Sequence, residues 1–183
     1  KAREIQSEYQ MIFNTAFDWL PFYLTPFFHI PIAHFVSMGA QIEALNLAIE
    51  RVAIDFPGTI GVCTRTQAET FSFADLCLPI GGSGVDPALY EYCDSPENEL
   101  AWLGRISPEK ALEDAVAAAQ RTGIKLKIMG KIQDPAYWEQ IQRDYPTAPI
   151  EYLGFLSTHQ LQQSLRTCRG MLMTPRWVEA FGN

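Results

Sequence analysis

Two cations and a carboxylate carry most of the chemical information in this chain. Arg105 and Lys110 lie in the run LAWLGRISPEKALEDAVAAAQ at positions 100–120: an apolar stretch, a short turn and an amphipathic pattern. That order predicts a buried strand feeding a helix over 108–121, with Ser107 as its N-cap and Pro108 as its first residue. Arg105 is then expected at the carboxyl end of a strand. Lys110 falls in the first helical turn, where backbone N–H groups and the dipole favour an anion. Such a pair suits a diphosphate, although spacing alone favours a solvated turn. Glu179, in GMLMTPRWVEAFGN at 170–183, follows a second apolar stretch. A carboxylate there accepts hydrogen bonds from a hydroxyl-rich ligand and steadies developing positive charge, or it complements a helix dipole.

A third segment, IEYLGFL at 150–156, reads as a strand ending in a turn at Gly154, Phe155 and Leu156. Gly154 permits close backbone approach to a ligand, and the alternative is an ordinary strand-to-helix turn capped by Ser157 or Thr158. The run FNTAFDWLPFYLTPFF at 13–28 is unusually aromatic. Its rings could stack on a flat heterocycle, or form core; Phe17, Trp19, Phe22 and Tyr23 are not expected to face one pocket from one helix. Asp18 and Trp19 are the candidates for contacting an acceptor there. His34 sits in mid-strand and reads as a hydrogen-bonded core histidine, while His29 and His159 have no sequence neighbours suggesting a base or metal ligand. No Ser-His-Asp, Cys-His or metal-ligand spacing stands out, so no metal is expected.

The 183 residues are 48% hydrophobic, 12% aromatic and 19% charged, enough apolar area for a core and unlike a disordered chain. A formal charge of -7 removes the broad positive field that nucleic acid or anionic lipid needs, although a local Arg–Lys cluster still suits one small anion. Cys63, Cys77, Cys93 and Cys168 form no C-x-x-C pair and are expected as reduced thiols, which favours a cytoplasmic location. No secretory signal opens the sequence. Positions 19–42 contain 24 residues without Asp, Glu, Lys or Arg, yet Pro21, Pro26 and Pro31 argue for a buried helix and strand over a membrane span.

Placing these residues requires short apolar strands alternating with helices, the signature of parallel sheets covered by helices. Strands are predicted at 11–14, 32–37, 59–64, 76–80, 100–104, 125–129, 150–153 and 170–174. Helices are predicted at 17–28, 41–55, 67–73, 108–121, 135–144 and 158–169. Residues 81–98, rich in Gly and Pro, read as a linker between an amino-terminal half, 1–95, and a carboxyl-terminal half, 96–183. Four strands per half is fewer than the five or six of a doubly wound nucleotide-binding domain, so each half is expected to be incomplete, with chain missing at both ends.

The residues Arg105 to Lys110 match the R-x-x-x-E-K motif, and W-V-E-A-F-G-N the start of the paired-glutamate motif, of family 4 glycosyltransferases. With DWLPFYLTPFF and AYWEQIQRDYP, the chain resembles, over nearly its whole length, cyanobacterial UDP-glucose:tetrahydrobiopterin glucosyltransferases. Gly84-Val85-Asp86 likewise resembles the hinge segment of the family. The resemblance implies a GT-B architecture, two Rossmann-like halves with parallel sheets. UDP-glucose would be held by the carboxyl-terminal half and a reduced pterin acceptor by the other, with retention and no required cofactor. It implies Arg105, Lys110 and Glu179 as catalytic groups, with Gly154, Phe155, Leu156, Phe181, Gly182 and Asn183 completing the donor site. The second Glu of the paired motif falls past Asn183, a departure that favours the rival expectation of a non-catalytic fragment binding a nucleotide sugar weakly. Oligomeric state is left open.

Overall fold

The computed structural model describes residues 1–182, and the chain divides into two compact units: Lys1–Gly84 with residues 178–182, and Val85–Trp177. Asn183, assigned above to the donor site, lies outside the described residues. Each unit holds one four-stranded, wholly parallel sheet.

In the first unit, α1 (Ala2–Ile5) and a 3-10 turn precede β1 (Ile12–Asn14), α2 (Trp19–Leu24), β2 (Ile32–Val36), α3 (Glu43–Asp55), β3 (Ile60–Val62), α4 (Arg65–Ala68) and β4 (Leu78–Pro79). The sheet order is β1-β2-β3-β4. α3 buries Leu45, Ile49, Val52 and Ala53, one stripe at helical spacing, against Val36, Ile60 and Val62. Gln67 is fully buried and completely used: its amide accepts from Cys63 N (2.6 Å) and donates to the carbonyls of Val36 (2.8 Å) and Met38 (3.0 Å), tying β2 to β3. The helix expected over 17–28 stops at Leu24, and Thr25–Phe27 continues as a 3-10 turn; Pro26 supplies no N–H for the helical ladder. The expected helix over 67–73 is a single turn at Arg65–Ala68.

His34 is a core histidine, as expected. It is 1% exposed, stacks on Phe22 at 4.5 Å, and shares hydrogen bonds with Asn14 Nδ2 (3.1 Å) and Thr25 Oγ1 (3.0 Å). Burial lowers its pKa from 6.5 to about 4. The unfolded chain therefore takes up a proton near pH 6.5 that the folded chain refuses until about pH 4. Stability is complete above the upper value and falls as pH drops through this window. A loss on the order of 3 kcal/mol is expected by its lower end. Urea unfolding at pH 7 and pH 4.5 measures it, and His34→Gln should flatten that part of the pH dependence.

The second unit contains β5 (Glu97–Leu103), α5 (Leu112–Thr122), β6 (Lys125–Met129), α6 (Pro135–Asp144), β7 (Ile150–Gly154), α7 (Thr158–Arg166) and β8 (Cys168–Leu172). The strand order β7-β6-β5-β8 reverses direction at β5, so the crevice between the carboxyl ends of β5 and β8 is a topological switch point. Trp102, Ile106, Leu112, Val116, Leu126 and Ile128 form its core. β8 begins two residues earlier than the apolar run alone indicated, because α7 ends at Arg166 and Cys168 already pairs with Glu97. All four cysteines are free. Burial raises the Cys63, Cys77 and Cys168 thiol pKa values, that of Cys77 to about 11.

Candidate functional site

Three neighbouring strand ends of the second unit are glycine. Gly104 follows β5, Gly130 follows β6 and Gly154 ends β7, so three neighbouring strands finish in residues without side chains. Gly130 has φ +145, and a Cβ there would stand 1.8 Å from the Gly104 carbonyl oxygen. Its N–H donates to Gly154 O at 2.8 Å. Gly154 was expected to permit close approach, but a Cβ there would meet nothing within 4 Å; its φ of +79 is what calls for glycine. Beyond it Phe155 is 84% exposed, its ring open to solvent, and Leu156 is half-buried.

Arg105 lies just past β5, at the strand end, as the sequence indicated. Its guanidinium donates to Gln133 Oε1 at 3.1 Å and pairs with Glu109 at 3.5 Å, and the side chain remains about half exposed. The predicted helix start is not where it was expected. Pro108–Lys110 forms a 3-10 turn, Ala111 takes a left-handed conformation (φ 46, ψ 51), and α5 begins only at Leu112. Lys110 thus stands ahead of the helix and not inside its first turn. Ser107 does not cap it. Its hydroxyl donates to the Glu109 carboxylate at 2.7 Å, and its oxygen accepts no capping bond from the turn. Ala111 is fully buried, and it is the one non-glycine residue with positive φ among the described residues. Such strain persists only where the surroundings enforce it.

The enforcing contacts come from the loop after β8. The Trp102 indole N–H donates to Thr174 Oγ1 (3.0 Å), and that hydroxyl donates to Lys110 O (3.0 Å). Arg176 N donates to Glu109 O at 3.0 Å, and its guanidinium bridges Glu113 (3.0 Å) and Asp114 (2.8 Å) on α5. The Tyr137 hydroxyl also donates to Glu113. The Lys110 ammonium lies 4.8 Å from the centre of the Trp177 ring. For Glu109, burial pushes the carboxyl pKa up, but the Ser107 hydroxyl, its own backbone and the charges of Arg105 and Lys110 outweigh it, leaving it lowered. The arrangement offers two cations and the Glu109 carboxylate just past the carboxyl end of β5. It suits a multiply charged anion whose negative charge grows during reaction.

Arg105, Lys110, Gly154, Phe155 and Leu156 all belong to this unit. Glu179, Phe181 and Gly182 do not: the chain past Trp177 packs with the first unit, where Thr64 Oγ1 donates to Ala180 O at 3.1 Å and the Phe181 ring lies against Gly82. Glu179 is half-buried there. Sequence reasoning missed Thr174, Arg176 and Trp177. Trp177 stood inside the quoted motif, whereas the Arg176 partners on α5 are more than sixty positions away and leave no local trace.

The aromatic run of the first unit lines a groove of about 930 Å³ between α2 and α3. Phe17, Trp19, Phe22 and Tyr23 all reach it, contrary to expectation. Trp19, Phe22 and Tyr23 stand at i, i+3 and i+4 of α2 and share one face, and Phe17 joins them from the chain just before the helix. Asp18 caps α2, accepting from Leu20 N at 3.2 Å, and Trp19 is 55% exposed, edge-on to Tyr23 at 5.6 Å. Among the described residues no group of three or more His, Cys, Asp or Glu is placed to hold a metal ion, and no helix is long and apolar enough to cross a membrane.

No family model and no curated protein matches the chain. Solved structures do. The Anabaena protein HepE, determined with UDP and glucose, matches 99% of this chain and 57% of its own at TM-score 0.80 and 16% identity. Sucrose-phosphate synthase from Thermosynechococcus elongatus matches 99% and 54% at TM-score 0.74 and 17% identity. AviGT4, a glycosyltransferase involved in avilamycin A biosynthesis, matches 84% and 45% at TM-score 0.63 and 20% identity. The chain therefore spans about half the length of these structures, and its two parallel-sheet units have the α/β fold of GT-B glycosyltransferases.

Proposed function

We propose that the full-length protein is a GT-B glycosyltransferase that moves glucose from UDP-glucose to a small acceptor, a reduced pterin such as tetrahydrobiopterin, with retention. The observation that carries the reading is the placement of Arg105 and Lys110 just past the carboxyl end of β5, at the β5/β8 switch point. The HepE match, a protein solved with UDP and glucose, supports the donor class.

In this reading Arg105 and Lys110 bind the donor diphosphate and neutralise the charge that accumulates as the anomeric carbon–oxygen bond breaks, so they act most strongly on the departing group. Phe155 offers its exposed ring to the nucleobase, and the Gly154 turn lets the backbone follow it. Glu179 accepts hydrogen bonds from the sugar hydroxyls and steadies positive charge at the anomeric carbon, while Phe181 and Gly182 border that position. On the acceptor side, Asp18 and Trp19 offer a carboxylate for pterin N–H groups and an indole face for its bicyclic ring. The donor itself supplies the activated bond, and the reading calls for no metal.

The test is transfer of labelled glucose by the full-length protein. Tetrahydrobiopterin should become labelled from UDP-glucose, with the α-linkage of the donor kept in the product, and GDP-linked sugars should be poor donors. Labelling of another small acceptor alone would retain the donor assignment and discard the pterin. Folded protein that labels no acceptor would overturn the reading.

A further inference from the structure

Lys110 sits on a backbone no isolated sequence would choose. The 3-10 turn at Pro108–Lys110 closes into a left-handed alanine, a conformation that costs an L-residue about 1 to 2 kcal/mol. Within the turn the backbone bonds run from Lys110 N to Ser107 O (3.0 Å) and from Ala111 N to Pro108 O (3.1 Å). Further support comes from the neighbouring strand's end, through contacts from one short stretch of chain. Thr174 takes the Trp102 indole proton and gives its own to the Lys110 carbonyl. Arg176 N holds the Glu109 carbonyl, while the Arg176 guanidinium is fastened to Glu113 and Asp114 at the start of α5. Trp177 then presents its ring to the Lys110 ammonium at 4.8 Å.

We infer that Thr174–Trp177 is a strap that positions Lys110, with Trp177 as the positioning residue that sets where the ammonium points; this rests on the diphosphate role proposed for Lys110. A four-carbon side chain otherwise samples many rotamers, and each must be lost when an anion binds. A ring face under the ammonium narrows that choice beforehand. Arg176 acts one step further back. Its ion pairs with Glu113 and Asp114 fix the end of the loop that carries Trp177. The indole and the Lys110 turn are thereby tied to the same helix start.

The chemistry separates this role from simple packing. Phenylalanine keeps a ring face and leucine keeps apolar bulk without one. In the full-length protein, Trp177→Leu should lower kcat/KM for UDP-glucose about fivefold, mostly through a raised KM, whereas Trp177→Phe should stay within about twofold of the parent. Arg176→Gln should reproduce the Trp177→Leu loss without touching the ring. Thermal midpoints of all three, and the effect of Lys110→Ala, are measured alongside. If Lys110→Ala weakens donor use while Trp177→Leu and Trp177→Phe behave alike, the positioning role is wrong and the diphosphate site stands. If Lys110→Ala leaves donor use unchanged, the diphosphate assignment fails and takes the strap's function with it. Losses that track the thermal midpoint in both Trp177 variants would reduce the strap to packing and overturn the inference, and Arg176→Gln decides the matter should a Trp177 variant fail to fold.

Discussion

Removing the ammonium of Lys110 by Lys110→Ala should lower glucose transfer by the full-length protein roughly 10- to 100-fold, the equivalent of losing one charge-assisted contact of about 1.5 to 3 kcal/mol. Arg105→Ala should fall in the same range, and the double variant further. Both side chains are partly solvent-facing, with no core packing to lose: Arg105 makes only the Gln133 bond and a 3.5 Å pair with Glu109 among its described polar contacts. Thermal midpoints are therefore expected to move little. The loss should appear in kcat as well as KM, because the cations face charge that grows as the diphosphate departs. Steady-state kinetics over UDP-glucose concentration reads both. Lys110→Arg should recover part of the rate, since its charge remains but its reach and geometry differ.

The second large effect concerns stability. Gly130→Ala places a methyl group 1.8 Å from the Gly104 carbonyl oxygen, in a residue whose φ of +145 side-chain-bearing residues rarely adopt. Backbone strain and steric overlap each cost about 1 to 3 kcal/mol. The obstacle is main chain on both sides: Gly104 N is bonded to Met129 O (3.1 Å) and Gly130 N to Gly154 O (2.8 Å), so neither strand end moves freely. A loss of about 4 kcal/mol is expected in urea unfolding of the second unit. Gly154→Ala, where φ is +79 but the surrounding space is open, should lose clearly less, about 1 to 2 kcal/mol. The pair thus distinguishes a steric requirement from a conformational one at two neighbouring strand ends.

Much of this architecture was legible in the amino-acid order. Strands such as Ile32–Val36 and Lys125–Met129 announce themselves as short segments with apolar residues at their buried positions, and α3 and α6 as stripes at helical spacing. Arg105 could be placed at a strand end because Leu100 to Gly104 is unmistakably apolar. What the order did not reveal was the turn after it. Ser107-Pro108 has every local mark of a helix start. The Thr174–Trp177 loop engages the Lys110 and Glu109 carbonyls through the Thr174 hydroxyl and the Arg176 N–H. Local propensity lost to tertiary contacts more than sixty residues distant. The aromatic run was misread locally: Trp19, Phe22 and Tyr23 stand at i, i+3 and i+4, a spacing that already puts them on one face of α2. Glu179 stands inside a motif that reads as continuous with β8, yet its segment packs with the amino-terminal unit through Thr64 and Gly82, a contact no nearby residue signals.

The central claim is that Arg105 and Lys110 form the diphosphate site of a nucleotide-sugar transferase, and calorimetric titration of UDP into the full-length protein and its Arg105→Ala/Lys110→Ala variant tests it most directly. The account predicts one UDP per chain for the parent and affinity at least about 100-fold weaker for the double variant, with both proteins equally folded by circular dichroism. Equal affinity in the two proteins, or a folded parent that binds no UDP, would contradict it.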